Sequence, residues 1–141
     1  MNTQTTCPEC GAPQIDGMNC WEQLGGILAW EAHDAELANV HFLTVASYNL
    51  QHPAQFTDEA LAGLQAALRA YLDEGVPAAE LRRRAARAYQ GNRRVLRPAG
   101  ERQPVLRRWP TTIADVYLPD RPQGAAERVR QWAASVRNGL K

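Results

Sequence analysis

The sequence is poor in the residues that would build a disulfide framework, a membrane span or a lysine-rich surface. It holds three cysteines, an odd number that does not close into pairs, so disulfides are not expected to carry its stability. No window approaches the roughly 20 apolar residues of a membrane helix. Residues 1–6 have neither the basic nor the apolar region of a signal peptide, and a cytoplasmic location is expected. One lysine stands against 15 arginines, a skew that reflects genome base composition more than selected arginine chemistry. Cysteine and histidine number three each, and all six fall between residues 7 and 52. Whatever soft-ligand chemistry the chain has is therefore confined to its first third.

What is present suits one folded unit. A chain of 141 residues, 45% of them hydrophobic, can bury roughly 68% of its unfolded surface, so a metal would reinforce the fold locally rather than create it. The net charge of +1 hides an asymmetry. Residues 1–76 hold ten acids and one base, Arg69, whereas residues 82–108 hold ten arginines and one acid, Glu101.

Apolar periodicity places helices along most of the chain. Residues 1–18, with Pro8, Gly11, Pro13 and Gly17, read as a loop. Asn19 caps a helix reaching about His33, with Trp21, Leu24 and Leu28 as its stripe. Gly25-Gly26 inside it costs on the order of 1–2 kcal/mol of helix propensity, and either kinks the helix or admits a close neighbour. A second helix runs from about Glu36 to Gln51 and ends at Pro53. Thr57 caps a third, Asp58 to about Glu74, which Gly75 stops. Pro77 opens a fourth, with Leu81, Ala85, Ala88 and Tyr89 on one face. Residues 91–110 read as an irregular basic segment with short strands at Arg94–Arg97 and Val105–Trp109. Thr112 and Asp115 suggest a capping box before a short helix, Ile113 to Tyr117. A last helix follows from about Ala125 to Asn138.

The expected architecture is a mainly α single domain of four to five helices. A knuckle loop (1–18) packs on a helical hairpin (19–53), followed by further helices (54–90), the basic segment (91–110) and carboxy-terminal helices (111–141).

Cys7-Pro8-Glu9-Cys10-Gly11 has the form of a zinc knuckle. Two thiolates two residues apart grip one ion from a tight turn, and the glycine lets amides point at sulfur. Cys20 follows at the start of the first helix, where free amides favour a thiolate. A structural zinc needs a fourth ligand, and helical geometry ranks the histidines. In an antiparallel hairpin turning near residues 34–35, Cys20 faces about residue 49, so His52 lies roughly 4–5 Å farther along the axis. His41 lies roughly 12 Å away, and His33 is at the opposite end. The candidate metal ligands are Cys7, Cys10, Cys20 and His52, with His41 as the alternative. A thioredoxin-like CxxC would need a βαβ setting that the pattern does not offer. A deaminase zinc site would need a His-x-Glu that is missing.

With those residues in hand, the chain is similar to a family of small, mainly bacterial proteins classed only as a domain of unknown function. The resemblance rests on Cys7-Pro8-Glu9-Cys10-Gly11, Cys20, His41-Phe42-Leu43-Thr44-Val45 and Tyr48-Asn49-Leu50-Gln51-His52-Pro53. It extends to the stretch from Trp109 to Val116 and to the helix carrying Val129 and Trp132. It implies a metal-binding helical domain and no activity. Relatives carry an Asp between the Val and Tyr positions; here those residues are Ala46-Ser47, so any chemistry of that Asp is missing.

Two further readings compete with a non-catalytic, zinc-stabilised module that binds a protein partner or itself. His41 and Glu31, one turn from facing each other, could form a His–carboxylate general-base pair, or the three cysteines could leave zinc an open position; either would make an enzyme. The segment 82–108, with Arg82, Arg83 and Arg84, could track a phosphate backbone while Trp109 stacks on a base. The simplest account of its charge is that it packs against the acidic half.

Overall fold

The computed structural model describes residues 6–88 and 95–140. The described residues form six α-helices joined by loops and single 3-10 turns: α1 (Cys20–Trp30), α2 (Ala35–Asn39), α3 (His41–Leu50), α4 (Asp58–Glu74), α5 (Ala78–Ala88) and α6 (Ala125–Gly139). The mainly helical class expected from periodicity holds. The count exceeds the expected four to five because the segment 36–51 is two helices. Asp34 caps α2 by accepting from the Leu37 amide, and the chain then breaks at Val40, whose φ of −106° and ψ of 21° leave the helical basin. Leu37 and Val40 both stay buried across the break.

Local chemistry explains the other boundaries. Asn19 and Glu22 form a capping box at the start of α1, satisfying orphan amides reciprocally. Thr57 accepts from the Ala60 amide at the start of α4, and Gly75, with φ of 70°, ends that helix in the left-handed conformation. Thr112 and Asp115 also form a capping box, but it opens only a 3-10 turn, Ile113–Asp115, and not the longer helix expected. The expected strands do not form among the described residues. Val105–Trp109 has no regular secondary structure. The other contributes a lone bridge between Leu96 and Phe56, and its Arg94, like Tyr89 of the fourth helix, lies outside the described residues.

The core is centred on α3 and α6. Trp132 and Val129 of α6 are fully buried together with Leu43 of α3 and Leu37 of α2. A polar thread runs through this apolar packing. The Trp132 indole N–H donates to Gln51 Oε1 at 3.2 Å, and Gln51 Nε2 donates to the Thr111 carbonyl at 2.8 Å. Buried polar groups are tolerated when bonded in this way, and these two bonds fix the end of α3 against both α6 and the 111–117 stretch. On the other side, Gly26 of α1 faces Tyr117: a Cβ there would lie 2.6 Å from Tyr117 Cε1, whereas one at Gly25 would meet nothing within 4 Å. Of the pair, Gly26 serves a close approach and Gly25 does not. Trp30, off the expected stripe, stacks on the same Tyr117 at 5.1 Å.

Candidate metal centre

The knuckle is built by its own backbone. Gly11 takes φ of 80°, a region that glycine enters without steric cost. The turn this permits aims amides at sulfur: Cys7 Sγ accepts from the Glu9 and Cys10 amides at 3.4 Å each, and Cys10 Sγ accepts from the Ala12 amide at 3.4 Å. Glu9, between the two cysteines, is buried, and its carboxylate accepts from the Ala54 amide at 2.8 Å. Its carbonyl accepts from the Arg107 amide at 3.0 Å. One residue thus ties the knuckle both to the segment after α3 and to the basic segment.

The hairpin supplies the rest. Side chains meet across α1 and α3 in the expected antiparallel register, with Trp21 against Tyr48 at 6.1 Å at one end and Glu31 against His41 at the other. Cys20 at the first position of α1 therefore arrives beside the end of α3. His52 Nε2 lies 3.3 Å from Cys20 Sγ and 3.7 Å from Cys7 Sγ. The ligand atoms of Cys7, Cys10, Cys20 and His52 all lie within 4.8 Å of one another, close enough to hold a metal. Tetrahedral zinc, with Zn–S of about 2.3 Å and Zn–N of about 2.0–2.1 Å, would place each sulfur about 3.5 Å from the nitrogen; the two nitrogen–sulfur distances straddle that value. His41 and His33 lie elsewhere, both exposed.

Further contacts orient the side chains of the cluster. His52 Nδ1 donates to the Tyr48 carbonyl at 2.6 Å, which turns Nε2 toward the sulfurs. The Tyr48 ring stacks on His52 at 4.0 Å, and its hydroxyl sits 3.6 Å from Cys20 Sγ. In the sequence Tyr48 stood out only in the Tyr48-to-Pro53 stretch that carries the family resemblance, with no role of its own, although its place four residues before His52 puts it one turn away on the same face. Glu9 had no periodic signal at all.

The three thiols and the imidazole share their protons unevenly. A hydrogen bond from Cys10, opposing the cost of burial, brings the Cys20 thiol down to about 3, with His52 adding to the shift. Cys10 is pushed far up, first by that shared proton and then by burial. Burial disfavours the His52 imidazolium, but its bonds to Cys20, Cys7 and the Tyr48 carbonyl outweigh this and raise it to about 10. Burial also opposes ionisation of Cys7, yet the His52 bond and two amides bring it below its ordinary value. Three sulfur sites crowded together compete for few protons, and a divalent cation would replace those protons directly.

The other candidates are placed differently. His41 Nδ1 and Glu31 Oε2 do meet, at 2.9 Å, but the imidazole is 53% exposed on the surface. Of the arginines, Arg83 and Arg84 are held by Glu80 of their own helix. Arg97 pairs with Asp58, so part of the basic segment does pack on the acidic half. Arg107 lies over the Trp109 ring at 3.7 Å and donates to the Gly139 carbonyl, so one face of Trp109 is already covered.

Residues 5–141 match DUF5946, described as a family of unknown function. The chain belongs to that family. No curated protein and no solved structure matches the chain significantly. Membership thus brings no activity, and the cluster itself carries the functional argument.

Proposed function

We propose that this chain is a zinc-stapled interaction module in which Cys7, Cys10, Cys20 and His52 complete a closed, structural coordination shell. The observation that carries this reading is the convergence of three sulfurs and the His52 imidazole within 4.8 Å. Thiolate-rich tetrahedral sets favour zinc over harder cations. A shell closed by four protein ligands leaves no position for substrate, which separates this reading from a zinc enzyme. Free thiols in such a cluster suit a reducing compartment, and we place the protein in the cytoplasm. No described helix is long and apolar enough to cross a membrane.

The role of interaction module is supported by what surrounds the staple. Trp21, next to Cys20, is 67% exposed, and Val105 is 75% exposed. Leu106 reaches within 3.6 Å of a Cβ built on Gly11. Zinc would hold these apolar side chains in one fixed arrangement around the knuckle, a surface suited to a protein partner or to self-association. Nucleic-acid binding is the weaker reading, because Arg83, Arg84, Arg97 and Arg107 already have partners within the chain.

The experiment is metal analysis of purified protein, with cobalt substitution to read the ligand set. One equivalent of zinc is expected, with a cobalt spectrum of tetrahedral coordination by three sulfurs and one nitrogen. The nitrogen signature should be lost in His52→Ala. Stoichiometric zinc bound unchanged by His52→Ala would favour three cysteines and an open position.

A further inference from the structure

A groove of about 560 Å3 opens between α4 and α5 and shares no residue with the Cys/His cluster. Its volume lies within the roughly 300–1,000 Å3 typical of small-molecule sites. Small residues create it. Helix α4 turns Ala60, Gly63 and Ala67 toward it at three- and four-residue spacing, where larger side chains would close the gap between two helices. Helix α5 answers with Leu81, Ala85 and Ala88, yet only Leu81 is buried. The apolar face of this strongly basic helix is thus left uncovered by the rest of the described fold.

The floor offers almost nothing to a polar ligand, which would lose its hydrogen bonds to water on entry. The charge is at the rim: Arg82, Arg84 and Glu59. Arg84 is held by Glu80 at 3.1 Å, and Glu59 is engaged within the chain. Arg82 makes no ion pair or hydrogen bond among the described residues and is exposed. An apolar channel with one uncommitted guanidinium at its edge complements a molecule with one apolar tail and one anionic head.

We propose that the groove binds a long-chain carboxylate, with the alkyl chain along the small residues of α4 and α5 and the carboxylate on Arg82. This site is independent of the metal reading. The test is fluorescence titration of zinc-loaded, full-length protein with a dansyl-labelled fatty acid, followed by displacement with palmitate and with hexadecanol. Saturable one-to-one binding, displaced by palmitate, is expected. Ala67→Trp, which fills the groove, should abolish it. Arg82→Glu, on an exposed position that leaves the fold alone, should weaken palmitate about tenfold and leave hexadecanol unchanged. Absence of saturable binding would overturn the proposal. So would palmitate binding equally well to wild type and a folded Ala67→Trp. Equal loss of palmitate and hexadecanol in Arg82→Glu would overturn the assignment of the head group. Concentration-dependent dimerisation that Ala67→Trp removes, without fatty-acid binding, would assign the groove to a second copy instead.

Discussion

Adjacent glycines in α1 offer a test of the packing that seats the hairpin. Alanine in place of glycine inside a helix stabilises by about 0.8–1.0 kcal/mol through propensity alone. At Gly25 a new Cβ meets nothing within 4 Å, so Gly25→Ala should gain that amount in full. At Gly26 the same Cβ would stand 2.6 Å from Tyr117 Cε1, against the roughly 3.5–4.0 Å of an optimal carbon contact. Tyr117 has little room to yield: it is buried, stacked on Trp30, and its hydroxyl donates to Met18 Sδ at 3.4 Å. Opening about 1 Å in a packed site costs typically 1–3 kcal/mol. Gly26→Ala should therefore range from neutral to destabilised by about 2 kcal/mol, and the two variants should differ by about 1–3 kcal/mol. At roughly 2–4 °C per kcal/mol for a chain of this size, Gly26→Ala should melt several degrees below Gly25→Ala. Thermal unfolding at one fixed zinc concentration reads the difference, because a ligand bound only to the folded state shifts Tm by mass action. In a Tyr117→Leu background the penalty at Gly26 should shrink, since the two sites are in contact and couple. If both alanines raise Tm equally, the approach of Tyr117 to α1 is misplaced.

The remaining expectations concern the metal centre. Sharing the roughly 10–16 kcal/mol of a structural zinc among four ligands gives about 3 kcal/mol each, so His52→Ala should weaken zinc about 100-fold in a competition with a chromophoric chelator. His52→Cys should restore much of that, and no loss in His52→Ala would remove His52 from the shell. Tyr48→Phe, which deletes the hydroxyl beside Cys20 but keeps the ring on His52, should weaken zinc by about tenfold with the stoichiometry unchanged. Zinc binding at pH 7 should release at least two protons, one from the raised Cys10 thiol and one from His52 at about 10; calorimetry in buffers of different ionisation enthalpy counts them. In chelated protein, the His52 contribution is whole below its ordinary 6.5 and gone above about 10, while that of Cys20 is whole above its ordinary 9.0 and gone below about 3. The His52 and Cys20 trends offset between about pH 6.5 and 9, while Cys7, also lowered, adds a rise up to its ordinary 9.0 and Cys10, raised, adds to the fall above it, so urea unfolding should show stability highest near pH 9 and falling on both sides. A stability that falls steadily with pH from 6.5 to 9 would contradict the pairing of these groups.

Much of the centre could be read without coordinates because its signals are local or helical. Cys7 and Cys10 share one turn, Asn19 caps α1 with Cys20 as its first residue, and helical rise alone separates His52 from His41. The same arithmetic paired Glu31 with His41 correctly but could not tell that the pair lies on the surface, since exposure depends on elements far away in the chain. The break at Val40 was hidden because apolar spacing continues through it, and the turn at Ile113–Asp115 was overextended because a capping box starts a helix without stating its length.

Backbone periodicity, caps and ligand spacing are properties of a few neighbouring residues, so the amino-acid order alone determined the helical class, the knuckle and the choice among three histidines. The tertiary structure decided what depends on side chains distant in sequence: Glu9 bonded to Ala54, the Tyr48 hydroxyl set beside Cys20, Gln51 bridging Trp132 and Thr111, and Gly26 pressed by Tyr117. Each of those contacts closes a loop that packing of the whole chain makes favourable, and no local pattern encodes which distant atom will arrive.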